Sequence, residues 1–199
     1  LAAVIRCALA LSEFTCKPNS RPLIICRAKP GCTRSCRGSR DTANTSMGIQ
    51  VNNSNARILD NVFRNFDTST CVFNGTDPSS PLQNVFYQRN RSFNTGNTVF
   101  LGYVNKFSLV GNIHENISEG YDCDKLCTNG VIADNIFRST RGSGADAAIE
   151  LNGSKNVTVT GNVIESTVRG ILLNAKNING NDERCDRVIV SGNTIRDVE

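Results

Sequence analysis

The sequence predicts an all-β fold in which short strands stack in parallel into a solenoid. One observation is a repeat: six stretches place an asparagine, or in one case an aspartate, six or seven residues before a second asparagine, with apolar residues between. The other is the alternation of apolar and polar residues within these stretches, which is typical of strands rather than helices. Units that recur every 20 to 50 residues must stack on each other to bury their apolar faces.

The second asparagines mark the six units, and we expect them at corners of the chain. Asparagine tolerates the left-handed backbone conformation, and its amide can bond to the amide of the next unit when the two stack. The asparagines are Asn61, Asn90, Asn112, Asn135, Asn162 and Asn193. An inward column follows them: Phe63, Phe93, His114, Phe137, Ile164 and Ile195. We therefore interpret His114 as a core residue, not as a catalytic base.

A second strand precedes each repeat, and we predict two strands per unit. Because all of them run in the same direction, neighbouring units should pair in parallel, roughly 4.8 Å apart. The alignment predicts an outward column of Gln50, Val72, Phe100, Asp122, Glu150 and Leu172. It predicts an inward column of Val51, Phe73, Leu101, Cys123, Leu151 and Leu173, in which Cys123 is a buried apolar filler.

The form of the units resembles that of a known superfamily. The stretch Val157-Thr-Val-Thr-Gly-Asn-Val-Ile164 is similar to the units of the right-handed parallel β-helix (pectate-lyase-like) superfamily. The resemblance covers residues 46–199. It implies a right-handed parallel β-helix of about six coils, a polysaccharide partner, and a secreted, periplasmic or cell-surface location.

The first 45 residues differ from the domain predicted for residues 46–199. Residues 1–40 carry a net charge of +7 and five of the nine cysteines, whereas residues 41–199 carry −3. Three interpretations remain open: a short helix that caps the solenoid, the remnant of a secretory signal, or a segment outside the native fold. The spacing of Cys26, Cys32 and Cys36 lacks the paired Cys-x-x-Cys pattern, so zinc is not expected.

Composition excludes two classes of partner. No apolar run is long enough for a membrane span, and the mildly acidic body has no basic stripe for nucleic acid. The last unit is followed by no amphipathic closing segment. We therefore expect either a homo-oligomer or further coils at the C-terminal end, because open strand edges pair with other strands.

The outward column places two carboxylates side by side, Asp122 and Glu150. At that separation they need a bound proton, a cation between them, or a nearby Lys or Arg. Glu119 and Asp124 supply further oxygens. The sequence therefore predicts a calcium site formed by these four acidic residues.

The segment from Ser118 to Lys125 resembles an acidic stretch of β-helical polysaccharide lyases. That resemblance implies β-elimination on an acidic glycan, with Lys125 as general base and Arg141 or Arg138 steadying the enolate. The loop 138–147 is expected to form a cleft wall. The alternative is a surface or adhesion solenoid, tailspike-like or a scaffold, without turnover. The residues predicted to stack on sugar are Phe100, Tyr103 and Tyr121.

Overall fold

The computed structural model describes residues 35–37, 48–66, 68–140 and 147–198, and these residues form only strands, bends and turns. The strands are β1 (Ser35–Arg37), β2 (Ile49–Val51), β3 (Arg57–Leu59), β4 (Val62–Arg64), β5 (Cys71–Asn74), β6 (Leu82–Gln88), β7 (Arg91–Gly102), β8 (Val104–Val110), β9 (Ile113–Lys125), β10 (Thr128–Ala133), β11 (Ile136–Thr140), β12 (Ile149–Asn152), β13 (Lys155–Thr160), β14 (Val163–Thr167), β15 (Ile171–Asn174), β16 (Lys176–Ile178), β17 (Asn181–Glu183), β18 (Ile189–Ser191) and β19 (Thr194–Val198). The predicted all-β class is confirmed. The predicted capping helix lies outside the described residues.

The strands form two parallel sheets and one antiparallel hairpin. An eleven-stranded sheet has two arms that share the long strands β7 and β9. One arm has the order β1-β4-β7-β9-β11-β14-β19, and the other runs from β2 through β5, β7, β9 and β12 to β15. The six-stranded sheet has the order β18-β13-β10-β8-β6-β3, and β16 pairs with β17 as the hairpin. Within the described ranges, no helix has the length and apolar character needed to cross a membrane.

Each complete unit contains three strand segments, not the two that the sequence predicted. The unit that contains Asn162, for example, runs through β12, β13 and β14. The extra break arises at the second asparagine of each unit, because the residue before it has a positive φ. These preceding residues are Asp60, Arg89, Gly111, Asp134, Gly161 and Gly192. A left-handed residue turns the chain, so the strand ends there and a new one begins beyond the asparagine.

A ladder of asparagine amides runs through all six units. The backbone N–H and the Nδ2 of Asn112, for instance, both donate to Oδ1 of Asn135, at 2.9 Å each. The same pair of bonds joins every neighbouring pair of the second asparagines, from Asn61 to Asn193. The predicted amide stacking is confirmed. The left-handed conformation, however, belongs to most of the first asparagines of the units: Asn55, Asn84, Asn129 and Asn156.

Both predicted columns of the first strands are confirmed in register. Phe100 pairs with Asp122, and Asp122 with Glu150, along the outward column. Leu101, Cys123 and Leu151 are paired and buried along the inward column. The prediction for Phe93 was wrong, because Ser92 occupies the buried position beside His114. Phe93 instead lies under the guanidinium of Arg64, 4.5 Å from the ring centroid.

The core between the sheets is filled by residues matched across units. Gly130 pairs with Phe107, and the Phe107 ring lies where a Cβ on Gly130 would be. Phe63, Tyr87, His114, Tyr121 and Phe137 form an aromatic stack, with neighbouring ring centroids 5.0 to 6.3 Å apart. The units therefore share one continuous core, and each outward residue is fixed relative to its neighbours by the residues behind it.

Candidate functional site

Three carboxylates meet where β9 pairs with β12. A carboxylate oxygen from each of Glu119, Asp122 and Glu150 lies within 4.8 Å of the other two. Asp122 and Glu150 are neighbours because β9 and β12 pair in parallel at these residues. Glu119 comes from the same strand as Asp122 and is only 7% exposed. The predicted adjacency of Asp122 and Glu150 is confirmed.

Side-chain amides orient Glu150. Its Oε1 accepts hydrogen bonds from Nδ2 of Asn152 at 2.9 Å and from Nδ2 of Asn174 at 3.2 Å. The two asparagines are paired in register on β12 and β15, so the same stacking that builds the core also places them. These two hydrogen bonds fix the orientation of the Glu150 carboxylate beside Asp122.

Lys176, which the sequence did not predict as a site residue, lies near these carboxylates. Lys176 is on the hairpin, and its Nζ lies 2.6 Å from Oδ1 of Asp124. The hydrogen bond that Lys176 donates to Asp124 raises the pKa of Lys176, and the charges of Asp124, Asp122 and Glu150 raise it further. The ion pair between Lys155 and Glu183, at 2.7 Å, ties the hairpin to β13. The repeat carries no signal for Lys176, because this residue lies on a hairpin that interrupts the repeat.

Asp124 consequently does not join the other three carboxylates, although the sequence predicted that it would. It is two residues beyond Asp122 on β9, and its side chain is engaged by Lys176. The group that can offer oxygens to one cation consists of Glu119, Asp122 and Glu150. Lys176 supplies positive charge near this group, which is one of the three ways expected for two close carboxylates to coexist.

Phe100, Tyr103 and Lys125 lie next to the carboxylates. Phe100 precedes Asp122 in the outward column and is partly exposed. Tyr103 donates its backbone N–H to the carbonyl oxygen of Lys125 at 2.6 Å. Nζ of Lys125 lies over the Tyr103 ring, 6.0 Å from its centroid. The structure thus brings Tyr103, a predicted sugar-stacking residue, together with Lys125, the predicted general base, and pairs Phe100 with Asp122.

Tyr121 is not a sugar-stacking residue, contrary to the prediction. Its side chain is 0% exposed, and its ring packs edge-on against His114 and Phe137, with centroids 5.1 and 5.0 Å away. The error has a simple cause, since Tyr121 is two residues from Cys123 and therefore points to the same side of β9. An inward Cys123 required an inward Tyr121.

Arg138 lies in a different column from the carboxylates. It pairs in register with Glu115 at the beginning of β9, seven residues before Asp122. Its guanidinium contacts Glu115 at 3.2 Å and Glu165 at 3.1 Å, and Glu165 also pairs with Arg196. The hydrogen bond with Glu165 is the main cause that raises the pKa of Arg138. Arg141 and most of the predicted cleft wall lie outside the described residues.

His114 is a core residue, as the sequence predicted. Burial lowers its pKa to about 3. The Tyr121 hydroxyl donates to Oδ1 of Asn135 at 2.9 Å, so the contact of 2.9 Å between Nε2 of His114 and that hydroxyl requires His114 to donate. His114 is therefore neutral, protonated on Nε2, and held away from the outward face.

Four cysteines of the described residues are free thiols: Cys71, Cys123, Cys127 and Cys185. A hydrogen bond with Cys127, followed by burial, raises the pKa of Cys123, and burial raises the pKa of Cys71. Nucleophilic cysteines need a lowered pKa and access to solvent. Cys71 and Cys123 have neither, so they serve as core residues.

Comparisons with known proteins add little to this geometry. No protein-family profile matches the chain, and no curated protein sequence matches it significantly. A solved structure, the crystal structure "of a putative glycosyl hydrolase from Parabacteroides merdae ATCC 43184", aligns with a TM-score of 0.35 and 8% identity. The alignment covers 72% of this chain and 77% of that chain. A TM-score this low supports no conclusion about fold or activity.

Proposed function

We propose that residues 46–199 form a right-handed parallel β-helix of about six coils whose outward face binds carbohydrate. The paired asparagines, the parallel sheets and the register of both columns support the helical winding. Right-handed crossovers between parallel strands are strongly preferred, which supports the handedness. As the family resemblance implies, we assign the protein to a location outside the cytoplasm.

One observation carries the binding proposal: Phe100, Asp122 and Glu150 lie in register on one face. An aromatic ring offers an apolar plane to the C–H face of a sugar, and carboxylates and amides bond to its hydroxyl groups. Neighbouring units place these groups about 4.8 Å apart. A glycan lying along the stack would therefore meet an apolar platform and then a row of hydrogen-bonding groups.

Charge favours a neutral glycan. The face carries the carboxylates of Glu119, Asp122, Asp124 and Glu150 against the ammonium groups of Lys125 and Lys176. Four acids against two bases leave an excess of two negative charges. An acidic glycan would be repelled unless a cation intervened, whereas a neutral one would bind without such help.

The test is affinity electrophoresis in a neutral glucan and in polygalacturonate, each with calcium or with a chelator. Phe100→Ala should weaken binding to the neutral glucan about five-fold, because losing one aromatic contact costs on the order of 1 kcal/mol. Phe86→Ala is the matched control, since Phe86 lies on the six-stranded sheet beneath Arg57. Equal losses in both variants, or no retardation of the parent chain in any glycan, would refute the proposal.

Calcium is a second component of the proposed site, held by Glu119, Asp122 and Glu150. Calcium takes oxygen ligands at 2.3 to 2.6 Å, and carboxylate oxygens within 4.8 Å of each other can reach one ion. Lys176 would compete with the ion for the same negative charge. Lys176→Met should therefore strengthen calcium binding in calorimetry, and Glu150→Gln should weaken it. Unchanged calorimetric traces in both variants would remove calcium from the proposal.

Polysaccharide lysis is the alternative activity, and the position of Lys125 favours it. Lys125 ends the strand that carries Asp122 and lies beside Tyr103, so a base is at hand next to a charged site. If the protein is a lyase, it should release unsaturated products that absorb in the near ultraviolet from polygalacturonate, and Lys125→Ala should abolish their release. Binding without such products would leave the carbohydrate-binding proposal standing and exclude the lyase.

A further inference from the structure

A tyrosine occupies a corner of the chain where the backbone conformation favours glycine. The strands β7, β9 and β12 are each followed directly by a residue with positive φ: Tyr103 at 50°, Leu126 at 45° and Gly153 at 60°. Glycine adopts this conformation without steric cost, whereas an aromatic residue is strained in it. Most of the other non-glycine residues with positive φ in the described ranges are Asn or Asp, which tolerate it. The backbone of Tyr103 is therefore strained.

Neighbouring units hold Tyr103 in this conformation. Its N–H donates to the carbonyl oxygen of Lys125 at 2.6 Å, and its own carbonyl oxygen accepts the N–H of Leu82 at 2.9 Å. Gly75 in the preceding unit leaves room for it, since a Cβ on Gly75 would lie 2.5 Å from that oxygen and 3.1 Å from the Cβ of Tyr103. Strained residues persist only where their surroundings hold them, and they cluster at functional sites.

A β-bulge brings Lys125 to the same corner. Leu101 pairs with Cys123, but Gly102 pairs with Lys125, so Asp124 is an extra residue on β9. Without the extra residue, strand alternation would place Lys125 on the inward side with Cys123. With it, Lys125 lies in register with Gly102, and its Nζ is 6.0 Å from the centroid of the Tyr103 ring.

Tyr103 is separated from Phe100, the aromatic platform of the proposed carbohydrate site. Both side chains are partly exposed, and the two residues are three positions apart at the end of β7. In an extended strand this separation is roughly 10 Å, which is more than the width of one sugar ring. Two aromatic planes at this separation suit a ligand that contains linked sugars.

We propose that Tyr103 forms a second carbohydrate subsite, and that the strain at its corner is the cost of presenting its ring beside Lys125. The ligand is then a neutral glycan of at least two linked sugars, with one sugar on Phe100 and another on Tyr103. The Lys125 ammonium donates to a hydroxyl group of the second sugar. This inference rests on the proposed carbohydrate binding and adds to it a subsite and a minimum ligand length.

The first test measures binding by affinity electrophoresis in the neutral glucan. Tyr103→Gly should weaken binding about five-fold, whereas Tyr103→Phe, which keeps the ring, should stay within about two-fold of the parent. For the parent chain, a long oligosaccharide of the same glucan should compete more strongly than the monosaccharide. Tyr103→Gly should reduce that difference, because one of the two platforms is then missing.

The second test measures the strain by urea denaturation. Tyr103→Gly and Tyr103→Ala both remove the ring, but only glycine adopts a positive φ without cost. The glycine variant should therefore unfold at a higher urea concentration than the alanine variant. Leu126→Gly is the matched control for binding, because it makes the same backbone change at the next corner without removing an aromatic ring. It should bind the glucan within about two-fold of the parent.

Several results would overturn the subsite. One is parent-like affinity in Tyr103→Gly while Phe100→Ala loses binding, which would leave the carbohydrate proposal intact. Another is a loss in Tyr103→Phe or Leu126→Gly as large as that in Tyr103→Gly, because the ring would then not be the contact. An alanine variant as stable as the glycine variant would show that the corner is not strained. Absence of binding by the parent chain would instead refute the carbohydrate proposal itself, and this inference with it.

Discussion

The inward and outward sides of the same strands obey different rules. On β9, Tyr121 and Cys123 are fully buried, whereas Asp122 between them is partly exposed. An inward residue must fit the units on both sides, as Gly130 accommodates Phe107. An outward residue is not packed between the units. The strand register, which the packing of the interior sets, still decides which outward residues lie beside it. Asp122 and Glu150 are adjacent for that reason, although 28 residues separate them.

The largest effect should come from breaking the interior ladder at Asn135. In Asn135→Leu, the backbone N–H and Nδ2 of Asn112 and the hydroxyl of Tyr121 lose their acceptor. Each buried group without a partner costs about 1 to 3 kcal/mol. We therefore expect a loss of at least about 3 kcal/mol in the free energy of unfolding, measured by urea denaturation.

Asn193→Leu is the matched control, because the same bonds end at a partly exposed unit. Water can replace the lost acceptor there, so the cost should stay below about 1.5 kcal/mol. Similar losses in the two variants would mean that burial does not set the strength of the ladder.

The next effect should be acid lability caused by His114. Its folded pKa of about 3 lies below the ordinary 6.5, so the unfolded chain takes up the proton first. The stability from the neutral ring is complete above about pH 6.5 and is lost as the pH falls towards 3, by on the order of a few kcal/mol. Thermal unfolding across this range, compared with His114→Phe, isolates the effect from other titrating groups. Parallel pH curves for the two proteins would contradict the prediction.

A smaller loss of stability should distinguish a substitution on the inward side of β10 from one on its outward side. In Gly130→Ala, the new Cβ meets the Phe107 ring, and overpacking of this kind costs about 1 to 3 kcal/mol. Val131→Ala, on the outward side of the same strand, removes a side chain that is 41% exposed and should cost less than about 0.5 kcal/mol. Chemical denaturation measures the loss of unfolding free energy in each variant. A larger loss in Val131→Ala than in Gly130→Ala would show that the core around Phe107 rearranges readily to accept the added methyl group.

The smallest effect should come from the outward ion pairs of Arg138. Arg138→Ala breaks the contacts with Glu115 and Glu165, but solvent and salt screen exposed pairs. The unfolding midpoint in a calorimetric scan should stay within about 2 °C of the parent value. A fall as large as that of Gly130→Ala would mean that this column is part of the stabilising framework.

The interior was predictable because its rules are local and periodic. Alternation along the strand assigns Cys123 to the core, and the repeat of asparagines assigns the corners. The errors about Phe93 and Tyr121 came from applying the same rules unevenly. Ser92, not Phe93, is two residues beyond its asparagine, and Tyr121 shares the parity of Cys123.

The outward site was predictable only in part. Adjacent carboxylates follow from register, and they were found. The register does not predict which long side chain reaches these carboxylates. Lys176 contacts Asp124 from a hairpin that interrupts the repeat. Arg138 shows the converse, since the resemblance to polysaccharide lyases implied a role beside the carboxylates, whereas Arg138 lies in a different column.

The amide ladder has steps of 29, 22, 23, 27 and 31 residues, yet the bonds at each step are the same. The fold thus tolerates insertions in the segments that connect one asparagine of the ladder to the next. The hairpin of β16 and β17 is one such insertion. New sequence grafted there would emerge beside the carboxylates without disturbing the stack. Diversification of this surface would then need only insertions, with no change to the frame that supports them.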